Sequence, residues 1–89
     1  MELAETIELM QSEDFKERFK AEYWQTKIRY EKLSEMIRKY EAGTLEFEPK
    51  NNVYILKMQL HVMFLYLHVL EGRADIEGIN LNEGINLNE

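Results

Sequence analysis

Lys16, Lys20, Trp24 and Lys27 recur every three or four residues, a spacing that brings them to one face of a helix. Three ammonium groups beside one indole suit an anionic nucleotide, with phosphate held by lysine and the base stacked on the ring. The competing reading is a solvated helix face, because Glu17, Glu31 and Glu35 interleave as ordinary charge partners. Other candidates are weaker. His61 and His68 are seven residues apart, about 10 Å along a helix axis, too far to share one ion within a chain. No spacing supplies a third ligand, so no metal site is expected, and the histidines read as the polar edge of a packed helix. Ser12 and Ser34 are the only serines. No nucleophile motif, phosphate loop or metal box accompanies them, so the expected protein is not an enzyme and needs no cofactor.

The elements that would position these residues are legible. An acidic leader, 1–11, has Leu3, Ile7 and Met10 at helical spacing. Ser12 offers a cap for a long helix running to about Glu41. Its main stripe is Phe15, Phe19, Tyr23, Thr26, Tyr30, Leu33, Ile37 and Tyr40, close to a heptad seam. Ala42-Gly43 stops that helix. The connector TLEFEP, 44–49, alternates apolar and acidic residues before a proline, which favours an extended strap with Leu45 and Phe47 folded back onto the helices. Asn51 or Asn52 caps a second helix that runs from Asn52 to about Ile76, with Gly78 beyond it. Two such helices with a short connector predict an antiparallel hairpin domain over 12–77. GINLNE then occurs twice without change, at 78–83 and 84–89, and reads as a flexible tail.

Composition bounds the function further. The chain has 89 residues, no cysteine, one proline and 45% hydrophobic residues, which excludes a disulfide scaffold, a thiolate zinc site and a two-domain enzyme. The net charge of −6 is an average. The first 14 residues hold five acids and no base, whereas 15–42 hold eight bases against five acids. Duplex DNA is disfavoured as a partner because no basic recognition element stands out. The acidic N-terminus is the reverse of a signal peptide's basic n-region, so a cytoplasmic setting is expected. Residues 53–70, VYILKMQLHVMFLYLHVL, are long enough to span a bilayer, but Lys57, Gln59, His61 and His68 interrupt them and no basic flank borders them. A packed helix is the better reading.

That helix is apolar around most of its circumference, so one striped partner cannot cover it. Ala21, Trp24 and Ile28 form a second patch nearly opposite the main stripe of the first helix. Unless the leader folds over it, that patch faces another chain. The expected fold is therefore all-α, a hairpin assembled into an oligomeric helical bundle, with Ala21, Trp24, Ile28, Met58, Val62, Met63, Phe64, Leu65 and Leu67 at the interface.

Three segments carry a family resemblance: RFKAEYWQTKIRYEKLSEMI, KYEAGTLEFEP and YLHVLEGRADIEGINL. The joint marker is an AG-T-L-x-F-x-P connector between R-Y-x-K-L and L-E-x-R-A-x-I-E-G. Across most of 13–81 the chain resembles a family of small helical phage and prophage proteins named after a crAss-like phage gene product. It departs from that pattern in its more apolar HVMFLYLHVL stretch and its duplicated tail. The resemblance implies a phage accessory protein that antagonises host defence, either by trapping a nucleotide signal between subunits or by blocking a defence protein. A purely structural oligomerisation module is the third reading. The Lys16, Lys20, Trp24 and Lys27 face is the expected ligand site.

Overall fold

No glycine or proline interrupts the chain from Phe15, and this stretch becomes the longest element, α2 (Phe15–Glu41). Its cap is Asp14 rather than Ser12. Asp14 Oδ1 accepts from the Lys16 N–H at 2.9 Å, while Ser12 Oγ accepts from the Asp14 N–H at 3.0 Å. A carboxylate is the stronger acceptor at the positive end of a helix dipole, which explains the shift of the start. Asn52 Oδ1 accepts from the Ile55 N–H at 3.0 Å and opens α3 (Val53–Glu77). The computed structural model describes residues 1–83, and these contain three α-helices, a 3₁₀ turn and no strand.

Both long helices stop in the same way. Gly43 and Gly78 adopt φ of +75° and +71°, which side chains with a Cβ disfavour. The Ile79 N–H reaches back to the Ala74 carbonyl at 2.8 Å, and Ile79 and Ala74 join one apolar cluster. A backbone bond reinforced by that apolar contact is the Schellman stop.

The leader is an element in its own right. A 3₁₀ turn at Leu3–Thr6 and the short α1 (Ile7–Met10) pack on α2. Thr6, 1% exposed, anchors them: its hydroxyl donates to the Leu3 carbonyl at 2.7 Å and accepts from Gln25 Nε2 at 2.9 Å. Ala21 and Ile28 lie on the face of α2 that the leader covers, and both are buried. Two expected interface residues are thus satisfied within the chain.

The opposite face of α2 meets α3. Arg73 stacks over Phe19 at 4.9 Å, Tyr23 donates to Glu71 at 2.7 Å, Tyr30 faces Phe64 at 6.4 Å, and Lys57 pairs with Glu41 at 2.6 Å. Residue numbers rise along one helix as they fall along the other, so the two pack in opposite senses. The core holds Phe19, Tyr23, Leu67, Leu70, Ala74 and Ile79, with Trp24, Tyr30 and Leu81 packed against it. Leu67, expected at an oligomer interface, belongs to this core, and Met63 is half-buried. Met58, Val62, Phe64 and Leu65 stay exposed.

Two connecting segments depart from expectation. In the connector, Leu45 is half-buried but Phe47 is exposed, so only one of the two apolar side chains folds back. The first GINLNE copy is no free tail, since Ile79 is buried and Leu81 packs on the core. The second copy lies outside the described residues. Along α3, the most apolar 18-residue window has a mean hydropathy of 1.5 with 11% of it buried. By length and composition alone α3 meets the requirement for crossing a membrane.

Candidate functional site

The expected cation–indole face exists, and the C-terminal segment covers its Lys20 and Trp24 part. Trp24 is half-buried, and its indole N–H donates to the Leu81 carbonyl at 2.7 Å. Lys20 Nζ reaches the Glu83 carbonyl at 3.4 Å. Tyr23 meets the indole edge-on at 5.4 Å between ring centres. The first GINLNE copy therefore lies along this face, held by an apolar contact from Leu81 and two donors from α2. Lys16 stays exposed in the first turn, and Lys27 is half-buried in a shallow groove with Tyr30, Phe64 and His68. The tail holds the N–H edge of the indole, while a smaller cleft with Met1, Ile28, Glu31 and Lys32 still reaches Trp24. The sequence could not anticipate this, because nothing in the spacing of α2 reveals what the C-terminal segment packs against.

The histidines are both exposed on α3. His68 sits edge-on to Phe64 at 4.6 Å, with Nδ1 3.9 Å from Glu71 Oε1. Among the described residues no group of three or more His, Asp or Glu side chains is placed to hold a metal ion.

Two of the clefts among the described residues bear on ligand binding. One, of about 460 Å³, lies beside the tail and presents Glu71, Asp75, Asn80 and Asn82. Its charge has the wrong sign for an anion. Tyr23 there is a fixed donor: burial, then the hydrogen bond to Glu71, push its phenol well above the ordinary tyrosine value.

The other cleft, of about 440 Å³, opens where α2 ends and α3 begins. Ile37 and Leu56, both buried, form its apolar floor. Tyr40 comes from the last turn of α2 and Tyr54 from the first turn of α3, the latter 79% exposed. Pro49, Lys50 and Asn51 of the connector close one side, with Glu48 on the same rim. Asn52 caps α3 here, so the positive end of that helix lies at the cleft. Two aromatic rings, one ammonium and a helix N-terminus around an apolar floor suit a ligand with a flat ring and a negative group. The volume is within the range of small-ligand sites.

Sequence reasoning placed Tyr40 in the core stripe and gave Lys50 and Tyr54 no role. The signal was present as a proline-lysine-asparagine run between two tyrosines. Its meaning depends on the connector bringing the ends of two helices together.

Searches of curated proteins and of solved structures each found no match. A family model does match, over residues 13–76, covering α2, the connector and nearly all of α3. The leader and the tail lie outside that stretch, whereas the connector cleft lies wholly inside it. The chain belongs to the Sequestin family.

Proposed function

We propose that this chain is a non-catalytic binding protein that sequesters a small anionic ligand with a planar ring, of the nucleotide class, and so antagonises a host defence signal. The observation that carries the reading is the connector cleft, where Tyr40, Tyr54 and Lys50 surround an apolar floor. Binding without turnover fits its lining, in which Glu48 and Lys50 are the charged groups and no histidine or serine takes part. The family name, Sequestin, is compatible with such a role. In this reading the ligand's ring lies against Tyr54, and its phosphate takes Lys50 and the N-terminal pole of α3.

Calorimetric titration with cyclic dinucleotides, cyclic trinucleotides and ADP-ribose-type molecules tests the proposal. A binder should be recovered unchanged after heating the complex. Tyr54→Ala and Lys50→Glu should each weaken it by about tenfold or more, since stacking on one ring is worth about 1–3 kcal/mol. Both residues are exposed, so the fold should persist. If Lys20→Glu abolishes binding and Tyr54→Ala does not, the ligand instead displaces the tail from the Trp24 face. Failure of every ligand class to bind, or its recovery as a cleaved product, would overturn the reading. A protein-blocking role is the second reading, favoured by the exposed apolar side of α3.

A further inference from the structure

The connector cleft holds opposite charges in balance. Glu48 and Lys50 both line it, with only Pro49 between them along the chain. Neither side chain has an ion pair or a hydrogen bond among the described residues, so both charges are open to a ligand. Pro49 fixes its own φ and biases Glu48 toward extended backbone, which keeps the relative placement of the two charges. The helix ends repeat the arrangement. Tyr40 brings the C-terminal, negative pole of α2 to the cleft, and Asn52 and Val53 bring the N-terminal, positive pole of α3. Two neighbouring cations are committed elsewhere. Lys57 of α3 pairs with Glu41 at 2.6 Å, and Arg38 near the end of α2 pairs with Glu35 at 2.6 Å. Lys50 is the one cation that lines the cleft among the described residues.

We infer that Glu48 selects the ligand by charge: the cleft accepts a ring that carries a phosphodiester and rejects the same ring carrying a chain of phosphates. This rests on the sequestration reading and names the part of the nucleotide class that the site takes. One negative charge finds the Lys50 ammonium and the N-terminal pole of α3. Each further charge meets no second cation, and the Glu48 carboxylate and the C-terminal pole of α2 repel it. The chain's net charge of −6 adds to that repulsion at longer range. Sites that hold nucleoside triphosphates are built differently, with a glycine-rich loop whose backbone N–H groups, together with a lysine and a metal ion, offset the phosphate charge. Here no glycine lines the cleft among the described residues, and a carboxylate stands where such a site would place a further donor. A trap needs this kind of exclusion. Occupancy follows ligand concentration relative to Kd, so a site that accepted ATP would stay filled by an abundant metabolite and hold little of a scarce signal.

Calorimetric titration of the full chain with cyclic AMP, cyclic di-AMP, AMP, ADP and ATP, and with their guanine counterparts, adds negative charge in steps to a fixed ring. The phosphodiesters should bind best and affinity should fall along the linear series, with ATP weaker than cyclic AMP by about tenfold or more. Glu48→Gln should tighten every member and ATP most, by about tenfold, so that the series flattens. Lys50→Gln should weaken every member. Added sodium chloride should narrow the gap between cyclic AMP and ATP in the wild type, because the repulsion is exposed to solvent. Glu48 is exposed and unpaired, so helical circular dichroism should not change in Glu48→Gln. If only the phosphodiesters bind, Glu48→Gln should bring ATP into the measurable range. Even binding across the series, or an order that Glu48→Gln leaves unaltered, would overturn the inference and leave sequestration standing. If no member of either series binds, the sequestration reading of this cleft fails and the inference fails with it.

Discussion

Tyr23 is the residue at which packing and electrostatics meet most directly. Its ring lies in the core, and its hydroxyl donates to Glu71 across the α2–α3 contact at 2.7 Å. Burial first, then the carboxylate, disfavour the phenolate and raise the pKa above that of the unfolded chain. A group raised in this way contributes stability that is complete below its unfolded pKa, about 10, and is lost as pH climbs toward the folded value. Urea midpoints should therefore fall between pH 9 and 11 more steeply in the wild type than in Tyr23→Phe. Near neutrality the substitution should cost about 1 kcal/mol, the net worth of one hydrogen bond, because half-buried Glu71 regains water. Identical slopes in the two proteins would contradict this account. The spacing of Tyr23 in its stripe marked it as core, but its partner 48 residues away was not legible.

At the scale of elements, the two exposed glycines of α3 predict effects of opposite sign. Gly78 holds a left-handed conformation, so Gly78→Ala should destabilise by about 1–2 kcal/mol on thermal unfolding, although a methyl there meets no atom within 4 Å. Gly72 lies inside the helix with equally open surroundings, so Gly72→Ala should stabilise the chain by up to about 1 kcal/mol. Most of this scale was readable beforehand. The stop at Gly43, the cap at Asn52 and the stop at Gly78 follow from local rules that need only a few neighbouring residues. The start of α2 was displaced from Ser12 to Asp14 because two competent acceptors sit close together, and only backbone geometry selects between them. The leader's helical spacing was legible, whereas its seat over Ala21 and Ile28 depended on the Thr6–Gln25 contact.

For the whole molecule, the tail is an integral part of the packing. Deleting 79–89 removes Ile79 and Leu81 from the core and uncovers Trp24, the one tryptophan. The emission of that indole should shift to the red, and stability should fall by about 3 kcal/mol or more, the burial of two aliphatic side chains. The contacts to Trp24 and Lys20 come from 81 and 83, so the same deletion should also free the Lys20 ammonium.

Hydrophobic periodicity, capping residues and turn chemistry act over a few residues, and so the sequence by itself determined an all-helical chain, the ends of its long helices and an apolar excess on α3. Which surface each apolar patch meets is a question of three-dimensional competition. The leader, α3 and the tail all seek α2, and each covers a different side of it. Tertiary structure alone decided that Ala21 and Ile28 are satisfied within the chain, that Leu81 takes the Trp24 face, and that Tyr40, Lys50 and Tyr54 converge around a cleft. On α3, Met58, Val62, Leu65 and Val69 stay exposed. Contacts between residues some fifty positions apart leave no periodic trace in a single sequence, and that is why the spacing of α2 placed Lys16, Lys20, Trp24 and Lys27 on one face but could not show the tail packed against it.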